Sequence, residues 1–372
     1  MSELIWNKVA AATLAALTIL PFSAQIARAD ITFAVVGGMS GPFAKIGEEF
    51  KQGARGAVEQ INADGGVLGQ KLSFIVRDDE CNVAKAEKIA EEIVQRKIPF
   101  VMGHLCSDAS IAASSKYEKA GIIQISPSST NPNYTDRGLK YAFRTTGRDD
   151  MQGFVIAEHI LRNFKTKRLG ILYEDSQYSK GVATATKRFL NQGGTQELFY
   201  MKAPAAPFDF SPVFKAIKTN KVNVVLFPGL PAPTIELAKQ MKAARIRIRL
   251  IGSDSFSGIA FTKENRRHFD GFQFSFPPDP ADDRRNKTIT KKYKSEGYKP
   301  EAFTFYTYGA VQVWAQAVTK AGTLSAEAVS KALRSRKFNT VLGEISFDEK
   351  GDISNPGFVM YFFNKGKRYY LE

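Results

Sequence analysis

The sequence predicts an α/β protein built as two doubly wound parallel-sheet lobes. Three observations predict it. Short apolar runs of strand length alternate with amphipathic helical stretches, the alternation restarts after about residue 147, and a proline-rich break at Phe276-Pro277-Pro278 interrupts the second series before helices resume. At 372 residues the chain is long enough for each of two lobes to bury its own core.

The first 29 residues read as a cleaved secretory signal: Lys8 opens it, an apolar run spans Val9 to Leu20, and Ala27-Arg28-Ala29 precedes Asp30. That run is too short to cross a bilayer, and no later run is long enough, so the mature chain is expected to start near Asp30 and to be exported without an anchor. The signal holds Glu3, Lys8 and Arg28, which leaves a formal charge of +14 of the +15 on the mature part. The basic residues are scattered along the sequence, with small clusters at Lys291-Lys292 and Arg334 to Lys337, and no aromatic-interleaved stripe suggests nucleic acid. Cys81 and Cys106 are an even count in an exported chain, which favours a disulfide over two free thiols and is too few for a closed zinc site.

Taken in order, Ile31 to Val36 is a strand ended by Gly37-Gly38-Met39-Ser40-Gly41-Pro42. A helix follows with Phe50, Ala54, Ala57, Val58 and Ile61 on one face, stopped by Asn62-Ala63-Asp64-Gly65-Gly66. Leu72 to Val76 is the next strand, and Ala86, Ile89, Ala90, Ile93 and Val94 stripe the next helix. After the join near Thr145-Thr146-Gly147-Arg148, strands are expected at 168–173, 197–201, 222–227 and 250–252, with helices at 178–191 and 233–244. Beyond the proline break, helices are expected around 287–293, 302–320 and 325–333, and the aromatic alternation of 357–370 predicts a strand or hairpin.

Catalytic signatures are missing. Gly65-Gly66-Val67-Leu68-Gly69 lies after a helix and before a strand, the reverse of a dinucleotide fingerprint, and no P-loop, nucleophile elbow or His-Glu-x-x-His motif occurs. His104, His159 and His268 are far apart in sequence, and His104 is expected to serve in structure or hydrogen bonding. Asp78-Asp79-Glu80 and Asp149-Asp150 read as solvated or capping groups. No metal and no cofactor is expected.

The stretch Val101 to Thr130 is different. It places His104-Leu105-Cys106-Ser107 after one apolar strand and Ser126-Pro127-Ser128-Ser129-Thr130 after another. Hydroxyls and helix N-termini beyond the carboxyl ends of parallel strands suit an anion, here the carboxylate of a small molecule. Asp254 follows the strand 250–252 and falls at the equivalent edge of the second lobe.

Gly37 to Gly47, Ile61 to Gly66, Gly103 to Ser107, Arg144 to Gly147 and Phe347 to Asp352 resemble, in order and over nearly all of the mature chain, the periplasmic leucine/isoleucine/valine-binding proteins that serve branched-chain amino acid ABC transporters. The resemblance implies a type I periplasmic binding fold with three hinge crossings, near Gly147-Arg148, Phe276-Pro277 and Gly357. Lobe 1 would then be 30–147 plus 278–356, and lobe 2 would be 148–277 plus 357–372. It further implies a disulfide between Cys81 and Cys106, a ligand carboxylate on Ser107 and Thr130, and an ammonium held by the Ser128 carbonyl and Asp254, where these receptors carry glutamate. Ile46, Leu105, Cys106, Ser129, Tyr178, Leu230 and Phe303 fall at side-chain pocket positions. Ile46 and Leu230 stand where the branched-chain receptors have tyrosine, which shifts the side-chain preference.

The expected function is thus a monomeric periplasmic receptor, not an enzyme, that closes on a hydrophobic or branched-chain amino acid and delivers it to an inner-membrane ABC permease. The alternatives are a receptor for an aromatic carboxylate or amide without an ammonium group, and an exported enzyme acting on amides.

Overall fold

The computed structural model describes residues 30–256, 268–354, 357–365 and 367–371. The leader read at 1–29 lies outside the described residues.

The first unit runs β1 (Ile31–Gly37), α1 (Ala44–Ala63), β2 (Leu72–Asp78), α2 (Val83–Gln95), β3 (Phe100–Gly103), α3 (Ser107–Ala120), β4 (Ile123–Ser126) and β5 (Ala142–Arg144). Its five strands lie in the order β2-β1-β3-β4-β5, every pairing parallel. β3 and β4 are buried along their whole length because helices cover both faces, which is why they read as unbroken apolar runs. β5 is three residues long and escaped the apolar pattern, since its last member is Arg144.

The second unit runs α4 (Asp149–Asn163), β6 (Leu169–Tyr173), α5 (Gln177–Gln192), β7 (Phe199–Lys202), α6 (Ser211–Thr219), β8 (Val224–Leu226), α7 (Pro231–Ala243), β9 (Arg249–Gly252) and β10 (Gln273–Phe276). The chain then returns to the first unit through α8 (Lys287–Ser295), α9 (Ala302–Ala321), α10 (Ala326–Ser335) and a short hairpin, β11 (Phe338–Thr340) and β12 (Gly343–Ile345), that the sequence pattern did not reveal. It ends with β13 (Val359–Asn364) and β14 (Lys367–Leu371), the strand or hairpin expected over 357–370. The second sheet has the order β14-β13-β10-β9-β8-β6-β7. β10, β9, β8, β6 and β7 pair in parallel, and the closing hairpin adds an antiparallel edge.

Two glycines explain how α9 can close the first unit. A Cβ on Gly53 would sit 2.3 Å from the Thr304 carbonyl oxygen, so α1 and α9 approach at backbone distance, and one on Gly56 would sit 2.0 Å from the Tyr293 hydroxyl of α8 and 3.0 Å from the Tyr308 ring of α9. Trp314 of α9 then stacks on Phe100 of β3 with ring centroids 4.6 Å apart.

The chain passes between the sheets three times, from β5 to α4, after β10, and between β12 and β13. The first and third passages are tied together. Arg144 is fully buried, and its Nε donates to Asp352 Oδ1 at 2.6 Å while Nη1 and Nη2 donate to the carbonyls of Ser129 and Asn131 at 2.8 and 3.0 Å. Arg148 Nη1 donates to the other oxygen of Asp352 at 2.7 Å. A buried pair with its remaining donors satisfied is costly to break, so these crossings are fixed at their roots.

Two of the acidic pairs correct the expectation of solvated carboxylates. Asp79 is fully buried, with Oδ2 2.6 Å from His104 Nδ1, and His104 Nε2 is 3.0 Å from the Tyr117 hydroxyl. His104 is therefore a hydrogen-bonded buried residue, in keeping with its expected structural role. Asp149 is also fully buried. Asp78 does cap, accepting from the backbone N–H groups of Met39 and Glu80.

Candidate functional site

A cleft of about 570 Å³ opens between the carboxyl edges of the two sheets. Its first-unit wall begins at the end of β3. The disulfide Cys81–Cys106, with Cα atoms 5.4 Å apart, ties the end of β2 to the turn that starts α3. Cys106 is the N-cap and Ser107 the first helical residue, so Ser107 lies one position inside the helix start instead of capping it. Its Oγ accepts from the Asn131 N–H at 3.3 Å. The first N–H of α3 to find a backbone carbonyl is that of Ser110, on Cys106, which leaves the first-turn N–H groups without an intrahelical carbonyl.

A web of hydroxyls backs that wall. Ser126 Oγ donates to the His104 carbonyl at 2.8 Å, Ser128 Oγ donates to the Leu105 carbonyl at 2.8 Å, and the hydroxyls of Ser110 and Ser129 are 2.7 Å apart. These bonds pin the 126–130 turn against the 104–107 turn. They explain why so many hydroxyl residues occupy two short stretches: each buried turn carbonyl needs a donor.

The second-unit wall comes from α5, α7 and the end of β9. The Tyr178 hydroxyl donates to Asp254 Oδ1 at 2.6 Å and lies 2.6 Å from Ser253 Oγ, while the Ser255 N–H donates to the same phenol oxygen at 3.1 Å. Gln152 of α4 reaches the same Asp254 oxygen with Nε2 at 3.0 Å. Burial pushes the Asp254 carboxyl above its ordinary range, and the hydrogen bonds from Tyr178 and Gln152 oppose the shift. Burial also pushes the Asp149 carboxyl well up, aided by the charge of Asp254 and opposed by that of Arg144. Leu230, at the N-cap of α7, is held by Glu174, whose Oε2 accepts from the Leu230 N–H at 2.7 Å. Burial raises the Glu174 carboxyl to about 7.

The structure gathers most of the residues singled out from the sequence. Ile46, Cys81, Leu105, Cys106, Ser107, Ser128, Tyr178, Leu230, Asp254 and Phe303 all line the cleft. Ser129 and Thr130 do not, being fully buried behind the wall. Sequence reasoning missed Phe43, Val83, Asp108, Ser176 and Ser255, which line the cleft as well. Four of these flank helix starts, and Asn82, Cys106 and Ser176 are the N-caps of α2, α3 and α5, so a search for caps beyond strand ends could have found them. Gln152 left no signal, because its partner Asp254 is 102 residues away.

The same layer holds three buried side-chain atoms without a hydrogen-bond partner: Thr130 Oγ1, Asp149 Oδ1 and Gln152 Oε1. Orphaned atoms of this kind are uncommon in a folded protein and concentrate where a ligand or water completes the network. Across the cleft, the Asp108 carboxylate of α3 accepts from the Gln177 N–H at the start of α5, with both oxygens at 3.2 Å, and Asn131 Nδ2 donates to the Gln177 carbonyl at 2.6 Å. These bonds join the two units directly at the rim. Among the described residues no group of three His, Cys, Asp or Glu side chains could hold a metal ion, and no helix is long and apolar enough to cross a membrane.

Residues 30–367 match the family model described as periplasmic binding protein. The chain is 36% identical over 339 residues to the Leu/Ile/Val-binding protein homolog 1 of Brucella abortus, with 91% of each chain covered. Among solved structures, a substrate-binding protein of an ABC transporter from Desulfitobacterium hafniense in complex with Leu matches with a TM-score of 0.79 at 26% identity, over 92% of this chain and 100% of that one. A solute-binding protein from Rhodopseudomonas palustris in complex with 3,4-dihydroxybenzoic acid matches with a TM-score of 0.80 at 22% identity, over 92% of this chain and 96% of that one, and shares the fold.

Proposed function

The chain belongs to the periplasmic binding protein family, and on that premise we propose that it is the solute receptor of an ABC importer that closes its lobes on a hydrophobic or branched-chain amino acid. The lobe boundaries are placed at 147/148, 277/278 and 356/357. The observation that carries the ligand class is Asp254, a buried carboxylate in the cleft wall whose hydrogen bonds all come from neutral donors of its own lobe. A buried carboxylate without a cation is costly, and a ligand ammonium supplies one where low dielectric strengthens the pairing.

In this reading the Ser128 carbonyl shares the ammonium with Asp254. Ser107 and the first turn of α3 take the carboxylate, where N–H groups and the helix dipole favour an anion. Thr130 acts from behind, through the orphaned hydroxyl in the layer that also holds Asp149 and Gln152. Ile46, Leu105, Cys106, Leu230 and Phe303, with Phe43, form the apolar compartment for the side chain. The ligand is then delivered to an inner-membrane permease by a monomer. The likeness to the leucine complex and the relatedness to the Brucella protein support an amino acid.

The test is calorimetry with leucine, isoleucine, valine, phenylalanine and benzoate. The reading expects tight binding of at least one amino acid and none of benzoate. Binding of benzoate without any amino acid supports the alternative receptor for an aromatic carboxylate, and turnover of a bound amide would revive an enzyme.

A further inference from the structure

The charge balance of the chain leaves many cations outside the cleft, and the fold collects them. Strands β6, β8, β9 and β10 all start at one edge of the second sheet, opposite the edge that bears Tyr178, Leu230 and Asp254. Lys165, Lys167 and Arg168 precede β6, and Lys218 and Lys221 close α6 just before β8. Lys242, Arg245, Arg247 and Arg249 lead from α7 into β9, and Lys365 and Lys367 flank the β13–β14 turn.

Hydrogen bonds of backbone and side chains make these loops one continuous edge. The Arg249 N–H donates to the Asn223 carbonyl and the Asn223 N–H to that of Arg168, Arg249 Nη1 donates to the Gly271 carbonyl at 2.6 Å, and the Lys365 N–H donates to Asp270 Oδ1. Eleven cations thus stand with one carboxylate, that of Asp270, among the described residues of these loop segments at the edge. All are exposed except the half-buried Lys167 and Arg168, and none forms an ion pair with a described residue. From β6 to the β13–β14 turn the edge crosses six neighbouring strands, roughly 24 Å at the usual strand spacing.

We propose that this edge is a docking surface for a membrane carrying anionic phospholipid. The kind of partner follows from the arrangement. Lys242, Arg245, Arg247 and Arg249 border one pocket of about 440 Å³ that Asp270 also lines, whereas the other seven cations lie outside it, on long side chains in loops spread across the sheet edge. That spacing suits an array of mobile phosphate headgroups, each Lys or Arg adding a modest increment. The alternation Arg245-Ile246-Arg247-Ile248-Arg249 keeps both isoleucines half-buried against the core and every arginine outward, so binding is electrostatic and salt-sensitive, without insertion. Docking there leaves the cleft at the other end of the sheet free to open and close.

The test is flotation of the full mature chain with phosphatidylcholine vesicles containing phosphatidylglycerol, against pure phosphatidylcholine, beside the variant K242E/R245E/R247E. None of these three residues lines the cleft, and a circular dichroism melt that matches wild type verifies folding of the variant. Expected is binding only to the anionic vesicles, lost at about 0.5 M salt, and weakened on the order of 100-fold by the triple reversal. Equal recovery with both lipids, or a folded variant that binds as wild type does, overturns the proposal. So does capture by soluble polyglutamate without vesicle binding, which reassigns the surface to an acidic protein.

Discussion

The Tyr178 phenol donates to Asp254 Oδ1 at 2.6 Å, joining the start of α5 to the end of β9 within the cleft wall. That bond aims the carboxylate and opposes the rise in its pKa that burial causes. The ammonium partner proposed for Asp254 depends on both effects.

In Tyr178→Phe, Asp254 keeps Gln152 but loses its shortest donor. Amino acid affinity is expected to fall about tenfold, the worth of a charge-assisted hydrogen bond. Because a carboxylate must be charged to hold an ammonium, affinity also falls as pH drops through the Asp254 titration, and that fall should begin at higher pH in the variant. Superimposable pH profiles for wild type and variant contradict this role.

Asp108 is the carboxylate that caps α5 from the opposite unit. In Asp108→Ala the rim loses that tie, so the closed arrangement is less favoured and ligand affinity is expected to drop several-fold to about tenfold. Small-angle scattering should show a larger radius for the unliganded variant than for unliganded wild type, with the two converging at saturating ligand.

The disulfide closes a loop of 25 residues in sequence separation. Replacing both Cys81 and Cys106 with serine is expected to cost about 3 kcal/mol of stability in urea unfolding. Since the bridge also holds the start of α3 against β2, ligand affinity should fall with it, by less than the loss in Asp254→Ala.

Glu174 gives a pH prediction with a definite sign. Its carboxyl is raised to about 7 in the folded chain from an ordinary 4.5, so the folded state binds the extra proton and stability rises as pH falls from 8 to 6, by about 1 kcal/mol. The acids held low by partners, such as Glu92 and Asp136 at about 2, lose their contribution only below this window. His159, lowered by burial, opposes the trend below pH 6.5. The difference between wild type and Glu174→Gln isolates the Glu174 contribution, and an identical pH dependence of the two would falsify it.

Much of this architecture was legible because buried parallel strands and amphipathic helices write different periods into the chain: 250–252 read as a strand by its apolar run and lies within β9. The hydroxyl turns at 107 and 126–130 were legible because strand ends with helix starts have a fixed meaning in a doubly wound sheet. What could not be read depended on long-range burial. Asp79 looks like any acid at a strand end until His104 is found against it, and Asp149 looks like a helix-start acid until Gly181 is found packed on it, a Cβ there falling 2.2 Å from Asp149 Oδ2. The basic edge was hidden for the same reason: its cations lie in four separate loops that only the sheet order brings together.

The central claim, that Asp254 holds a ligand ammonium, is tested most directly by calorimetry of leucine against its deaminated analogue 4-methylpentanoate, in wild type and Asp254→Asn. The account predicts that leucine binds wild type at least 100-fold more tightly than the analogue, roughly 3 kcal/mol for a buried charge pair, and that Asp254→Asn abolishes most of that difference. Equal binding of the two ligands by wild type, or a preference for leucine that survives in Asp254→Asn, contradicts it.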